Sequence, residues 1–232
     1  MTPIIISHRG LWRVPEEQNT LNACLAAAAR GWGVEIDAVT YIGERGSAVY
    51  VAHSTDDIRD AYATAGRSLL LDELVPAVLA AGAPCILVDA KDPAAFAWAA
   101  EHLRDERVIV RIPNGIAAHD IVHPTRGTVA SVFGTEDVDH DRPVGVSHLL
   151  ADHRRGEDWR TEDTLARVPS NLAVICNSPE VVGGHLDLPW YAWHWRYADA
   201  VMTDRPEEYE RAWRGEDGFS VPLASCGLSY NP

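Results

Sequence analysis

The chain has 232 residues, 47% of them apolar, which is enough to build one sizeable hydrophobic core. Its 34 acidic residues outnumber the 20 basic ones and give a formal net charge of −14. Proteins that bind nucleic acid need a basic face for the phosphate backbone, so we expect no nucleic-acid partner. A small phosphate ester needs only two or three well-placed cations and is compatible with this charge.

Targeting and membrane signals are missing from the sequence. The N-terminal stretch M-T-P-I-I-I-S-H has no basic segment, and its apolar run is too short for a signal peptide. No stretch approaches the ~20 consecutive apolar residues of a membrane-spanning helix. Cys24, Cys85, Cys176 and Cys226 show no C-x-x-C spacing, which argues against a zinc ribbon or a redox motif. Cys85 and Cys176 lie in strand-like runs, where a reduced cysteine packs as a small apolar group, and this indicates a reducing compartment. We therefore predict a cytoplasmic protein without membrane insertion and leave its oligomeric state open.

Strand-like apolar runs alternate with helical stretches along the whole chain. A strand is predicted at 3–7, followed by a helix at 19–30 that Asn19 or Thr20 caps and Gly31 ends. A second strand is predicted at 33–37, and the run 47–52 is expected to pair locally without opening a new unit. Further strands are predicted at 85–90, 107–112, 128–132, 144–148, 172–176 and 198–203. Further helices are predicted at 72–81, with Asp72 as N-cap, and at 93–104, 116–123, 161–168 and 206–213.

Roughly eight β/α units without a break in composition predict an α/β fold, the closed (β/α)8 TIM barrel. We expect a single domain over residues 1–232. The polar tail 215–232 is expected to wrap the barrel, cover the site or be mobile. In such a barrel the carboxyl ends of the strands meet at one mouth, where ligands bind.

Carboxylates lie at the ends of two predicted strands. Glu35 and Asp37 are two residues apart on one strand and therefore point to the same face. Asp89 ends another strand, and Lys91 shares its face. Oxygen ligands of this kind suit a hard divalent cation, and Lys91 could meet a phosphate oxygen. The alternatives are a solvated strand end and a surface ion pair between Asp89 and Lys91.

Two histidines also follow apolar strands. His8 and His53 are suited to proton transfer near neutral pH, and phosphodiester cleavage needs both a base and an acid. Arg9 offers a bidentate fork for phosphate, and Gly10 allows a tight turn.

A second histidine pair has a spacing that metalloproteases use. His119 and His123 are four residues apart in H-D-I-V-H, but zinc proteases of this type carry Glu where the chain has Asp120. This mismatch argues against a metalloprotease. The tryptophans near the end of the chain are expected to pack in the core and rim, with one of them walling the pocket: Trp190, Trp193 and Trp195.

Taken together, these residues resemble the glycerophosphodiester phosphodiesterase family, whose pattern begins H-R-G, P-E-N-T, E-x-D and H-D. The chain reads H-R-G at 8–10, P-E-E-Q-N-T at 15–20, E-I-D at 35–37 and H-S at 53–54. The family's E-x-K and T-D-x-P correspond to D-A-K at 89–91 and T-D-R-P at 203–206. The matches keep their order and span nearly the whole chain.

The resemblance implies a TIM barrel with one Ca²⁺ or Mg²⁺ at its C-terminal face. It implies His8 and His53 as acid and base, with Arg9 and Lys91 near the phosphate. The metal ligands that it implies are Glu35, Asp37 and Asp89. Further substrate-pocket residues are proposed at Glu17, Arg111, Asn177 and Trp193.

The chain departs from the family pattern at three places. Ser54 replaces the Asp of H-D, and Asp89 is one methylene shorter than the usual Glu, so that it would reach a metal through water. The family's W-T-x-N motif is not recognisable, and N-S-P-E-V-V-G-G-H stands at 177–185 instead. These departures bear on the substrate more than on the chemistry.

The function predicted from these residues is metal-dependent hydrolysis of a small soluble phosphodiester, such as a glycerophosphodiester. Two alternatives stay open. One is a lyase that releases a cyclic phosphate, as in a related sphingomyelinase D-like branch. The other is a non-catalytic barrel that binds metal or phosphate.

Overall fold

The computed structural model describes residues 3–43, 46–65, 68–113, 127–132, 146–152, 160–185 and 197–216. The strands in these ranges are β1 (Ile4–His8), β2 (Gly33–Gly43), β3 (Gly46–Val51), β4 (Ile86–Ala90), β5 (Val108–Arg111), β6 (Thr128–Val132), β7 (Val146–Ala151), β8 (Ala173–Asn177) and β9 (Ala200–Thr203). The α-helices are α1 (Leu21–Ala29), α2 (Thr55–Ala65), α3 (Leu71–Ala80), α4 (Pro93–His102), α5 (Glu162–Ala166) and α6 (Pro206–Trp213). Short 3₁₀ turns cover Pro15–Glu17 and Pro179–Val182.

Eight parallel strands pair in a ring. The order around the ring is β1, β2, β4, β5, β6, β7, β8 and β9, and β9 pairs with β1 to close it. β3 runs antiparallel to the second half of β2, with Ala38 opposite Val51, and takes no place in the ring. The predicted TIM barrel and the predicted local pairing of 47–52 are both confirmed.

Successive side chains of each strand point alternately out of the barrel and into it, and this alternation separates two apolar layers. On β2 and β4, Val34, Ile36 and Val88 face outward and belong to the cluster that packs the strands against α1, α3 and α4. Leu87 faces inward and belongs to the cluster that fills the barrel. The other inward residues of this cluster come from all around the ring: Ile6, Cys85, Ile109, Leu150, Ile175, Ala200 and Met202. The inward positions nearest the carboxyl ends are thereby left for polar side chains.

Side-chain caps mark the first residues of two of the helices. The hydroxyl of Thr20 accepts from the backbone N–H of Ala23, which confirms Thr20 as the cap of α1. Asp92 caps α4 through two backbone N–H groups, with Pro93 in the first turn. The predicted cap at Asp72 is wrong, because α3 begins at Leu71 and Asp72 lies inside its first turn.

One helix was not predicted, and one prediction cannot be compared. α2 covers Thr55–Ala65, directly after the strand that was expected only to pair locally. The predicted helix at 116–123 and most of the tail, 217–232, lie outside the described residues. In the part of the chain that is described, no helix combines the length and the apolar character needed to cross a bilayer.

Candidate active site

The predicted catalytic, metal-binding and phosphate-binding residues come together at the carboxyl ends of the strands. His8 is paired with Glu35, and Asp37 with Asp89, in neighbouring strands. Asp89 is in turn paired with Arg111 of β5. All of these residues except Asp37 line a cavity of about 150 Å³. The residues that line it are His8, Arg9, Glu35, Leu87, Asp89, Lys91, Arg111, Leu150, Asp152, Asn177, Val181, Val182 and Met202.

The turn after β1 depends on its glycine. Gly10 has φ +84°, and a Cβ there would lie 2.7 Å from the backbone C of Ala23. Only glycine fits this conformation and this close approach to α1. Arg9 before it is also left-handed, with φ 59°, and its backbone N–H donates to Oε2 of Glu35 at 3.1 Å. The H-R-G turn therefore fixes the backbone of Arg9 against a buried carboxylate.

Three buried carboxylates form the centre of the site. Glu35, Asp37 and Asp89 are 2%, 0% and 8% exposed, and one ligand oxygen from each lies within 4.8 Å of the others. Burial and the neighbouring charge of Asp37 raise the pKa of Glu35 to about 7. Among the described residues, its ion-pair partner is His8 alone, at 3.7 Å.

This cluster fits a divalent cation. Glu35 is a buried carboxylate with no lysine or arginine side chain paired to it in the described part of the chain, and a bound cation would compensate its charge. The donors are all oxygen, as in sites for hard cations. The acidic triad that the sequence indicated is therefore able to hold a metal ion.

Asp37 is surrounded by cationic and hydrogen-bonding groups. Its Oδ2 lies 2.8 Å from Nε of Arg9, and its Oδ1 lies 2.5 Å from Nζ of Lys91. Burial raises the pKa of Asp37, but His53, Lys91 and Arg9 outweigh burial and hold this pKa well below its ordinary value. Asp37 thus stays ionised and gathers the two predicted phosphate-binding cations on one carboxylate.

Lys91 bridges two of the carboxylates. Its Nζ lies 2.5 Å from both Asp37 Oδ1 and Asp89 Oδ2. The Asp89–Lys91 ion pair that the alternative predicted is present, but it lies in the cavity wall and not at the surface. Burial lowers the pKa of Lys91, but the negative charges of Asp37, Asp89 and Glu35 outweigh burial, and the net pKa is raised.

Asn19 links the loop after β1 to the same carboxylate. Its Nδ2 donates to Asp37 Oδ2 at 2.9 Å, and its Oδ1 accepts from the backbone N–H of Asp37 at 3.1 Å. Asn19 was predicted only as a possible helix cap. The N-T of the family pattern was the signal that it does more, since the neighbouring Thr20 supplies the cap.

His8 has a partner that was not assigned from the sequence. Its Nδ1 lies 2.7 Å from Oδ1 of Asp204, the Asp of T-D-R-P directly after β9. Burial lowers the pKa of His8, but Glu35 and Asp204 outweigh burial, and the net pKa is raised. The motif was recognised as a match, yet only the closure of the barrel shows what its Asp contacts.

His53 lies at the exposed rim, with its side chain 58% exposed. Its Nδ1 is 2.9 Å from Nη2 of Arg9 and 3.2 Å from Oδ2 of Asp37. Arginine can only donate and a carboxylate can only accept, so the tautomer decides which contact is a hydrogen bond. In one tautomer Nδ1 carries the proton and donates it in a hydrogen bond to Asp37, so that Nε2 is an acceptor. In the other tautomer Nδ1 accepts a hydrogen bond from Arg9, and Nε2 carries the proton.

Ser54, which replaces the Asp of the family pattern, has a structural use. Its Oγ accepts from the backbone N–H of Asp57, and its own N–H donates to Oδ2 of Asp57 at 2.8 Å. This reciprocal pair caps the start of α2. Ser54 thus orders the chain directly after His53.

A second polar wall of the cavity was only partly predicted. Arg111 donates from Nη1 to Asp89 Oδ2 at 3.0 Å, and its Nη2 lies 3.5 Å from Asp152 Oδ2. Nδ2 of Asn177 donates to Oδ1 of Asp152. Arg160 donates to the backbone carbonyls of Ala151 and Asn177 and joins the ends of β7 and β8. Asp152 was missed because the predicted strand ended at 148, four residues before this acid.

Of the remaining predicted pocket residues, Glu17 does not join this group and Trp193 is not described. Glu17 is exposed, accepts from the backbone N–H of Arg13 at 2.8 Å and does not line the cavity. Trp193 and its neighbours Trp190 and Trp195 lie outside the described residues. The His119–His123 pair also lies outside them.

The sequence and the structure give different results when they are compared with known proteins. No protein-family model matches the sequence, and no curated protein matches it. Solved structures do match. A glycerophosphodiester phosphodiesterase from Parabacteroides distasonis superposes with a TM-score of 0.63 at 15% identity, covering 93% of this chain and 98% of that one.

Two further structures give the same result. An Oleispira antarctica phosphodiesterase in complex with the product sn-glycerol-3-phosphate has a TM-score of 0.61 at 15% identity, covering 90% of this chain and 96% of that one. A glycerophosphoryl diester phosphodiesterase domain from Mycobacterium tuberculosis has a TM-score of 0.59 at 15% identity, covering 92% and 100%. At this identity the likeness shows a shared fold, which agrees with the resemblance found in the sequence motifs.

Proposed function

We propose that the protein is a metal-dependent phosphodiesterase that hydrolyses a small phosphodiester, such as a glycerophosphodiester. The observation that carries the proposal is the cluster around Asp37. Two cations, Arg9 and Lys91, and one histidine, His53, contact this single carboxylate, which is itself a member of the acidic triad. A proton carrier, phosphate-binding cations and metal ligands are thus within reach of one phosphoryl group.

Each group has a use in cleaving a phosphodiester. Arg9 and Lys91 would bind non-bridging phosphoryl oxygens and balance their negative charge. One histidine would take a proton from the attacking hydroxyl, and the other would give a proton to the departing oxygen. A divalent cation, Mg²⁺ or Ca²⁺, held by Glu35, Asp37 and Asp89 would supply Lewis acidity at the phosphate.

The two histidines differ in burial and in the side chains that orient them. His8 is buried and oriented by Asp204, so its Nε2 is directed toward Glu35, 3.7 Å away. His53 is exposed and can present Nε2 with or without a proton. Retention of both histidines with their partners argues against a non-catalytic barrel.

The substrate is proposed to be a small ester met in the cytoplasm. The formal net charge of −14 would repel polynucleotides and anionic membranes over most of the surface. The Oleispira antarctica phosphodiesterase holds sn-glycerol-3-phosphate as its product, and a glycerol phosphate half is the natural first candidate for this chain.

The test is a substrate panel with metal control. Glycerophosphodiesters, lysolipid vesicles and oligonucleotides are incubated with the protein in Mg²⁺ or Ca²⁺ and in EDTA, and products are read by ³¹P NMR. We expect metal-dependent release of a phosphomonoester from the small diesters. A cyclic phosphate as the final product would support the lyase alternative, and preference for vesicles or oligonucleotides would refute the proposal.

A further inference from the structure

The wall of the cavity opposite the acidic triad has its own chemistry. In the ring of eight strands, β7 lies four places from β2, and β8 lies four places from β4. Asp152 follows β7, and Asn177 ends β8. Both line the cavity that Glu35 and Lys91 also line. A substrate whose phosphate lies at the acidic triad would therefore extend toward these two side chains.

The amide of Asn177 has a fixed orientation. Asn177 is 3% exposed, and its Nδ2 donates to Oδ1 of Asp152. A carboxylate only accepts, so the NH₂ group must face Asp152 and the carbonyl oxygen must take the other position. This Oδ1 is buried and has no hydrogen-bond partner among the described residues. A buried acceptor without a donor is costly, and a ligand that brings a donor removes this cost.

The rest of this wall combines apolar side chains with one carboxylate. The cavity is lined near Asn177 by apolar side chains, among them Leu150, Val181 and Met202. None of the described lining residues is Phe, Tyr or Trp, which are the side chains that bind quaternary ammonium groups. Asp152 accepts from the NH₂ side of the Asn177 amide and also contacts Arg111, so among the described residues of this wall the amide oxygen of Asn177 is the acceptor that lacks a donor.

The acid–base roles proposed above decide which part of the substrate meets this wall. The attacking and departing oxygens lie on opposite sides of phosphorus in an in-line reaction, and one histidine must reach each of them. With the attacking hydroxyl held at the acidic triad and the departing oxygen beside the second histidine, the far end of the departing alcohol extends across the cavity toward β7 and β8. Asn177 is then placed to contact the alcohol that leaves.

We infer that Asn177 makes the enzyme selective for diesters whose departing alcohol carries a hydrogen-bond donor, either a further hydroxyl or a primary ammonium group. This inference rests on the phosphodiesterase function proposed above. Alcohols that end in a trimethylammonium group bring no donor to Oδ1 of Asn177 and are cleaved more slowly.

Three substrates test the inference because they share one glycerol phosphate half. Glycerophosphoglycerol and glycerophosphoethanolamine carry a donor on the departing alcohol, and glycerophosphocholine carries none at the corresponding end. We expect kcat/KM of the unaltered protein to be roughly tenfold higher for the first two, the worth of one buried hydrogen bond. Asn177→Ala should remove this preference by slowing the first two substrates more than it slows glycerophosphocholine.

A matched control lies at the other end of the same strand. Asn171 is exposed just before β8, and Asn171→Ala should keep the full preference. If Asn177→Ala does not fold by circular dichroism, Asn177→Ser and the preference of the unaltered protein still decide the question. Cleavage of all three substrates without preference would overturn this inference alone, as would an equal loss on all three in Asn177→Ala. No cleavage of any of them by the folded, metal-loaded protein would overturn the proposed function as well.

Discussion

The Nδ1 atom of His8 lies 2.7 Å from the Oδ1 atom of Asp204, so a histidine at the end of the first strand is held by an acid that follows the last one. A carboxylate in this position keeps the proton on Nδ1, and the other imidazole nitrogen, Nε2, is then directed away from Asp204 and toward Glu35. Asp204 also helps to raise the pKa of His8 against the effect of burial. The pair thus fixes the orientation of the imidazole, and Asp204 adds to the effect of Glu35 in raising the pKa of His8.

Replacing Asp204 should therefore change a pKa as well as a rate. Asp204→Asn removes a negative charge beside His8, so the pKa of His8 should fall, and kcat should fall at least roughly tenfold. The His8 titration is read by NMR and kcat from the pH–rate profile. Asp56→Asn, at an exposed acid that pairs with Arg59, is the control and should change neither. An unchanged His8 titration in Asp204→Asn would contradict this role.

The histidines themselves should each carry a large share of the rate. His8→Ala and His53→Ala should each slow turnover by roughly 10²- to 10⁴-fold, the usual worth of a positioned acid or base. His102→Ala, at an exposed histidine on α4, should leave the rate unchanged. Circular dichroism checks that each variant is folded. A folded variant that keeps the full rate on every diester would remove its histidine from the mechanism.

The raised pKa of Glu35 makes a prediction about stability. Its folded-state pKa is about 7 and its ordinary value is 4.5, so the unfolded state loses this proton at a lower pH than the folded state does. The metal-free protein should therefore lose stability as pH rises from about 4.5 to 7, and added Mg²⁺ or Ca²⁺ should restore it. Melting temperatures with EDTA and with metal measure both effects.

Glu35→Gln tests the same carboxylate directly. The variant should show a flatter pH dependence of the melting temperature and a smaller shift with metal than the unaltered protein. Glu101→Gln, at an exposed acid on α4, should behave like the unaltered protein. Glu35→Gln combined with Asp37→Asn should abolish activity that added metal cannot restore. Equal metal shifts in Glu35→Gln and the unaltered protein would show that Glu35 is not a ligand.

The glycine of the H-R-G turn should be more sensitive to substitution than a glycine in an equivalent backbone conformation. Gly10 and Gly31 have φ +84° and +76°, but a Cβ at Gly10 meets Ala23 at 2.7 Å, whereas a Cβ at Gly31 meets nothing within 4 Å. Gly31→Ala should lower the free energy of unfolding by about 1–2 kcal/mol. Gly10→Ala should lower it by roughly 1–3 kcal/mol more because the clash is with backbone. Urea unfolding measures both, and equal losses would contradict the clash.

Much of the site could be predicted because its signals are local. Glu35 and Asp37 are two residues apart on an apolar strand, and this spacing alone puts them on one face. His8 and Asp89 end apolar runs in the same way. The partners across the ring could not be found so directly, because Asp152 and Asp204 become neighbours of Arg111 and His8 only when the strands are in register.

The errors in the predicted elements have local causes too. α2 carries mostly polar residues, so a search for apolar runs passes over it, although its apolar residues recur at helical spacing and Ile58 among them is fully buried. The error at Asp72 arose because an acid near a helix start is favourable both as a cap and inside the first turn. Capping alone does not separate these two positions.

The pairing of β1 with β9 also determines the order in which the protein can be completed during synthesis. The ribosome delivers the chain from its N-terminus, and β9 is the last strand of the described chain to emerge. One hydrogen-bonding edge of β1 therefore stays unpaired in the nascent chain until β9 at Ala200–Thr203 has been translated. A chain interrupted before residue 200 has an open sheet with an exposed edge, and its His8 has no Asp204.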